Sequence, residues 1–362
     1  MTYFQAVVIA LIQGVTELFP VSSLGHSVLV PAWFGGSWQA LATQSPEGDS
    51  GTSFYLAYIV ALHCATAFAL VWFFRADWVR LVRGFLRSFP ASVRLSLQAR
   101  RPRLSVLDKD ERLAWMIIFA TIPVGLTGVA LEHVFRTVFA KPAAAAVFLF
   151  VNGLILLGAE AMRRSAARRK QDGVPVTGGP PAVHPAYLGS PAYPAGVPAG
   201  AAYPPGPAGR AEPVSHRTPS GARAASDIAD AERSDERISR LPYKDAILIG
   251  STQILALFAG ISRSGVTMAG GLWRGLDNED AARFAFLLAT PVILAAGLLK
   301  VPSLAGPAGA HIHGQVAVGF IVCGIAAYLS VRFLVRWFQT RTLTPFAIYC
   351  LVFGLLSMLR FI

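Results

Sequence analysis

Gln13-Gly14-Val15-Thr16-Glu17-Leu18-Phe19-Pro20-Val21-Ser22-Ser23-Leu24-Gly25-His26 is the stretch on which the fold turns, because a second version of it stands 240 positions later. Setting Ala6 against Ala246 aligns Ile9 with Ile249, Gln13 with Gln253, Ser22 with Ser262 and Gly25 with Gly265. Both copies are otherwise apolar, yet the first carries Glu17 and His26 and the second carries Arg263. An ionisable group inside a membrane segment costs roughly 2.5–3.5 kcal/mol even on insertion scales, so it marks a functional site by default. Opposite charges in the two copies point to one site assembled from two halves.

Of the 362 residues, 54% are hydrophobic and 14% charged. A soluble domain carries roughly 25% charged residues, so the chain reads as an all-α polytopic membrane protein. Three apolar runs in the first half are long enough to span a bilayer, Ser53–Phe74, Leu113–His133 and Pro142–Met162. Three more follow in the second, Ala281–Val301, Gln315–Phe338 and Thr344–Phe361. A copy of the motif precedes each set, broken by Pro20 and Gly25 in the first and by Gly260 and Gly265 in the second. Either side of a break holds only roughly ten to fourteen residues, short of the roughly 20 a helix needs to cross, so each copy reads as a re-entrant helical hairpin. A returning hairpin plus three spans is an odd number of crossings, which inverts the second half relative to the first. Inverted repeats place a site at their interface, near the midplane. The expected organisation is a first repeat over 1–162, a disordered cytoplasmic linker over 163–240 and a second, inverted repeat over 241–362. The linker is rich in Pro, Ala and Gly and lacks the periodic apolar residues that would offset ordering.

The 32 Lys and Arg against 20 Asp and Glu give a formal charge of +12, which in a soluble protein would raise the question of nucleic acid. Here no aromatic motif interleaves with the basic residues, so nucleic acid is not an expected partner. The basic residues fall instead between apolar runs, Arg75 to Lys109 in one connection and Arg332, Arg336 and Arg341 in another, which places both on the cytoplasmic side. The connections Trp38–Gly51 and Pro302–Gly314 are poor in Lys and Arg and fall outside; His311 and His313 read as solvated loop residues. His63 reads as a core residue. Cys64, Cys323 and Cys350 lie inside apolar runs and read as small buried hydrophobes. The first apolar run lacks a basic lead and a small-residue cleavage site, so no removable signal peptide is expected.

In Gly260-Ile261-Ser262-Arg263-Ser264-Gly265-Val266-Thr267, a guanidinium fork is flanked by hydroxyls, by glycines that let backbone N–H groups approach, and by a helix start. A phosphate or diphosphate requires that set of donors. The first copy is complementary. Gln13 and Glu17 share a helix face, where an amide and a carboxylate suit a hard divalent cation together with phosphate oxygens. Ser23 and His26 lie just beyond the break, and a hydroxyl, or a water activated by imidazole, is a workable route to phosphoryl transfer.

These two motifs, in this order and at hairpin breaks, resemble the undecaprenyl-diphosphate phosphatase family, also called bacitracin-resistance proteins, over essentially all the chain except the linker. The resemblance implies a multi-pass enzyme of the bacterial inner (plasma) membrane that hydrolyses undecaprenyl diphosphate to undecaprenyl phosphate and inorganic phosphate, recycling the lipid carrier for cell-wall synthesis. It also implies an active site opening to the periplasm and a divalent cation, Mg²⁺ or Ca²⁺. A homodimer is compatible with it. Carried over by position, the acidic motif falls on Gln13 and Glu17, the serine pair on Ser22 and Ser23, the histidine on His26, and the arginine motif on Ser262, Arg263, Ser264 and Thr267. Glu17, Ser23, His26 and Arg263 are then the expected catalytic residues, Glu17 also the metal ligand, and Gln13, Ser22, Ser262, Ser264 and Thr267 the expected substrate contacts. Two departures stand out: the family often has a second glutamate at Gln13 and usually a proline at Ala259. The first lowers the negative charge offered to a metal. The same architecture would also serve a lipid-carrier flippase or an anion transporter; a scaffold without catalysis leaves Glu17, His26 and Arg263 unexplained.

Overall fold

The computed structural model describes residues 1–43, 54–101, 104–138, 141–171, 220–304 and 312–362. In the first motif copy, α1 (Tyr3–Thr16) starts at a capping box, with Thr2 Oγ1 accepting the Gln5 N–H at 3.2 Å and Gln5 Oε1 accepting the Thr2 N–H at 2.9 Å. It stops ahead of Pro20, which lacks the N–H a helix needs, and the chain turns into α2 (Ser23–Phe34), followed by α3 (Gly36–Thr43). In the second copy, α9 (Tyr243–Ser251) tightens into a 3₁₀ turn over Thr252–Leu257 before the break, and α10 (Arg263–Trp273) follows. The duplicated serines do the same job in both. Ser22 Oγ accepts the Gly25 N–H and Ser262 Oγ accepts the Gly265 N–H, each at 3.2 Å, capping α2 and α10.

The remaining long helices are α4 (Phe54–Phe73), α5 (Arg75–Ala99), α6 (Lys109–Val138) and α7 (Pro142–Gln171) in the first half. Helix α8 (Ser220–Ser239) precedes the second copy, and α11 (Asn278–Leu304), α12 (His313–Thr340) and α13 (Thr344–Phe361) follow it. Among the described residues, five helices are long and apolar enough to cross a membrane, and a sixth is reached when the bent pair α4–α5 is counted as one. The described residues contain no strand, so the all-α polytopic reading stands. Helix α4 packs on α11, its equivalent in the other half, and α7 on α13; α1 packs on α12 while α9 packs on α6. Exchanging the halves maps these contacts onto one another.

The two breaks touch. A Cβ on Gly25 would lie 2.9 Å from the Gly260 Cα, and Gly260 itself has φ +114° and would drive a Cβ into the Ala145 carbonyl. Only glycine permits both that backbone angle and that approach.

Two expectations need correction. The arginine-rich stretch after the first span is helical, not a plain connection. Helix α5 leaves α4 at 83° and is two-faced, with Leu81, Gly84, Ser88 and Ser92 buried and Val79, Val82, Leu86, Phe89, Val93 and Leu97 exposed. That is the form of a helix lying in a membrane interface. Order also extends into both ends of the expected linker, through Gln171 in α7 and over Ser220–Ser239 in α8. Helix α8 has a reason to hold its shape: buried Asp235 accepts from Arg80 at 2.8 Å and from Arg283 at 2.7 Å, while Arg237 reaches Asp280 at 2.7 Å. These partners come from α5 and α11, so the ion cluster ties linker, first half and second half together. Residues 172–219, the connections 44–53 and 305–311 expected on the outer side, and with them His311, lie outside the described residues.

Candidate active site

Glu17 sits one residue past α1, its N–H still bonded to the Gln13 carbonyl at 3.0 Å, so its side chain leaves the helix on the face that Gln13 shares. That side chain is buried, and a buried carboxylate is costly unless donors surround it. They do. Glu17 Oε2 accepts from Gln13 Nε2 at 2.8 Å and from the Ser23 hydroxyl in a short hydrogen bond, with His63 Nε2 at 3.4 Å. Glu17 Oε1 lies 3.4 Å from an Arg263 Nη2. The negative charge of the first copy and the positive charge of the second therefore form one ion pair across the junction of the hairpins.

Arg263 is the first residue of α10, where helix N–H groups and the axial dipole favour an anion. Its other terminal nitrogen, Nη1, is buried with no hydrogen-bond partner among the described residues, and so is Gln13 Oε1. An unpaired buried donor on the guanidinium and an unpaired buried acceptor on the amide are costly unless a ligand supplies the missing partners. Phosphate oxygens suit the first. A hard cation suits the second, since it takes oxygen ligands and the same amide already contacts the Glu17 carboxylate through Nε2.

The serines expected to contact substrate hold the two hairpins together. Ser22, in the left-handed region at φ +69°, accepts the Gly260 N–H at 3.2 Å through its hydroxyl. Ser262 and Ser264 both direct their hydroxyls to the Phe19 carbonyl at 3.4 Å. Thr267 is buried one turn into α10 and donates to the Arg263 carbonyl at 2.8 Å, away from Glu17. His26 is likewise not among the Glu17 partners: its Nδ1 faces the Ser22 carbonyl at 2.7 Å and its Nε2 the Tyr349 hydroxyl at 2.8 Å. Gln13, Glu17, Ser23 and Arg263 are thus brought together, Ser22, Ser262 and Ser264 form the adjoining junction, and His26 and Thr267 stand one turn off.

Three residues of this region escape a reading of the motifs. His63 on α4 is a partner of Glu17 and not simply a core residue. Its Nδ1 donates to the Ile59 carbonyl at 2.8 Å, which turns Nε2 toward the carboxylate. Asn152 on α7 bridges the breaks, donating from Nδ2 to the Pro20 carbonyl and accepting the Ser262 N–H at Oδ1, both at 3.0 Å. Tyr349 on α13 is the partner of His26. Each is a polar group within an apolar run, the one signal that pointed to it.

Asn152→Ala is expected to leave the Ser262 N–H buried without a partner and the Pro20 carbonyl with only the Cys350 thiol at 3.8 Å, at about 1–3 kcal/mol. The measurement is the thermal midpoint of the purified protein in detergent, which should fall. An unchanged midpoint would show that the hairpins hold without the bridge.

The sequence pattern of the family described as Bacitracin resistance protein BacA matches residues 6–177 and 222–356, leaving out most of the expected linker. A protein of Frankia alni named Undecaprenyl-diphosphatase 2 is 55% identical over 100% of this chain and 98% of its own length. An Undecaprenyl-diphosphatase of Mycolicibacterium paratuberculosis is 48% identical over 98% of this chain and 95% of its own length. More distant is an Undecaprenyl-diphosphatase 2 of Chromobacterium violaceum, 35% identical over 99% of both.

Proposed function

The chain belongs to the bacitracin resistance protein family, and from that premise we propose that it hydrolyses undecaprenyl diphosphate to undecaprenyl phosphate and inorganic phosphate, returning the lipid carrier to cell-wall synthesis. The observation that carries the reading is the meeting of Glu17 and Arg263 at 3.4 Å where the two hairpins join. A diphosphate bound there gives the orphan Arg263 Nη1 its acceptor. Phosphoryl transfer asks a protein chiefly for positioning and for positive charge where the phosphoryl oxygens gather charge in the transition state. Arg263 and the N-terminus of α10 meet that requirement.

Ser23 is the candidate nucleophile, its proton directed at Glu17, which orients the hydroxyl and can accept that proton. His63 and Gln13 meet the same carboxylate oxygen, Oε2, and help hold it in place. His26 is the candidate acid–base group or alternative nucleophile. A divalent cation, Mg²⁺ or Ca²⁺, would be held by the Glu17 carboxylate and the side-chain oxygen Oε1 of Gln13, and when bound would neutralise phosphate charge and polarise a phosphoryl oxygen. For the isoprenoid tail, an apolar groove of about 450 Å³ runs between α1 and α12, lined by Leu11, Val15, Phe19, Ile325, Leu329 and Phe333, and ends at the residue whose carbonyl receives Ser262 and Ser264. The chain is a multi-pass membrane protein. Its seat in the bacterial inner membrane, with the two repeats inverted and the site opening to the periplasm, is the arrangement that leaves the arginines of α5 in the cytoplasm.

The test is release of inorganic phosphate from undecaprenyl diphosphate by the purified chain in detergent. Release is expected with Mg²⁺ or Ca²⁺, should be lost on adding EDTA, and should return when the cation is resupplied in excess. No release under any divalent cation would favour the lipid-flippase or anion-transport reading of the same architecture.

A further inference from the structure

The geometry of His26 assigns a part to Tyr349. A backbone carbonyl can only accept, so the 2.7 Å contact between His26 Nδ1 and the Ser22 carbonyl puts a proton on Nδ1. In the neutral ring Nε2 then carries the lone pair, and the Tyr349 hydroxyl, 2.8 Å away, donates to it. The rings stack, with centroids 5.7 Å apart and planes 11° from parallel, and Phe353 stacks on the same imidazole at 5.4 Å. His26 is thereby fixed in orientation and tautomer. With Nδ1 committed to Ser22, any proton that reaches or leaves His26 must use Nε2, and the group in front of Nε2 is a hydroxyl from α13, a helix that carries none of the motif residues.

We propose that Tyr349 is the positioning residue and proton relay of His26, a role that rests on the acid–base reading of His26 given above. In the relay the Tyr349 O–H bond breaks as its proton passes to Nε2. The phenol oxygen meanwhile takes a proton from the water that attacks phosphorus, the Ser23 proton having its own acceptor in Glu17. Tyr349 ends as a neutral phenol, and His26 ends as an imidazolium whose Nδ1–H still donates to Ser22. Transfer in the reverse direction, to the departing phosphate oxygen, restores both groups. Tyr349 as a residue is 44% exposed, so its neighbours do not enclose it.

Tyr349→Phe keeps the stacked ring and removes only the hydroxyl. Steady-state phosphate release by the full-length variant in detergent should show kcat lowered by about a hundredfold, the lower end of the range that acid–base catalysis supplies, with KM for undecaprenyl diphosphate essentially unchanged. The decisive measurement is the cycle with His26→Ala: once the histidine is gone, removing the hydroxyl should cost nothing more, because the two act as one unit. A loss that multiplies in the double variant, or full turnover in Tyr349→Phe, overturns the relay alone. Full turnover in His26→Ala removes the histidine from the chemistry and the relay with it.

Discussion

Arg263→Ala is expected to lower phosphate release from undecaprenyl diphosphate by about a thousandfold or more, the scale on which an arginine at a phosphoryl group acts. The fold should tolerate the change. Arg263 makes one ion pair, at 3.4 Å, and its Nη1 has no hydrogen-bond partner among the described residues, so truncation removes an unpaired buried donor as well as a contact. The hairpin junction does not depend on its side chain, since the Ser22, Asn152, Ser262 and Ser264 bonds are made without it. The thermal midpoint in detergent should therefore fall only modestly, by the loss of the Glu17 counter-charge, while turnover collapses. Arg263→Lys should recover little, because a point charge lacks the planar fork that takes two phosphate oxygens at once. Near-normal turnover in Arg263→Ala would remove the residue from the site.

Glu17→Gln should be the second large loss, about a hundred- to a thousandfold in turnover, and it should weaken the fold more than the arginine change does. The carboxylate collects Gln13, Ser23, His63 and Arg263 around one buried point. An amide of the same shape turns an NH₂ group toward at least one of those donors and leaves Arg263 without a counter-charge, a cost of about 1–3 kcal/mol. Ser23 loses the acceptor that orients its hydroxyl, so the chemical step suffers more than substrate binding. Two measurements check this: a lower thermal midpoint in detergent, and a rise in the divalent-cation concentration needed for half-maximal release. Should the variant match the parent in turnover, Glu17 is a structural carboxylate and the site must be sought elsewhere.

Much of this arrangement was readable before any coordinates. Spans announce themselves through apolar runs of sufficient length, and α13 (Thr344–Phe361) occupies the range expected for it. The duplication was readable for a related reason: a serine that caps a helix and a glycine three residues later keep their spacing in both copies because the same turn must be made twice. Less visible was α5, whose exposed face mixes apolar residues with arginines such as Arg83 and Arg87, blurring a periodicity that becomes clear once Leu81, Gly84, Ser88 and Ser92 are seen to be its packed face. The far end of the linker hid its helix in the same way, since α8 is held by Asp235 and Arg237, and ion pairs leave no apolar stripe.

The relatives add a limit on what the motifs alone convey. They share the name of the activity, but the roles of His63, Asn152 and Tyr349 come from contacts outside both motif copies. A lone polar residue in a membrane helix advertises that it needs a partner and says nothing about which one. Asn152 finds Ser262 across 110 positions, and His26 finds Tyr349 across 323.

By itself, the sequence determined the class of fold, the two broken segments, and the inventory of an anion-binding arginine, one carboxylate and their attendant hydroxyls. Those follow from local properties, namely run length, the conformational demands of proline and glycine, and the cost of a charge in an apolar segment. Only the tertiary structure decided which of these atoms meet. The helix packing brings Arg263 to Glu17, places His63 behind the carboxylate, and turns His26 away toward α13. Partners so far apart along the chain are chosen by how the helices close on one another, and no short stretch of residues contains that information.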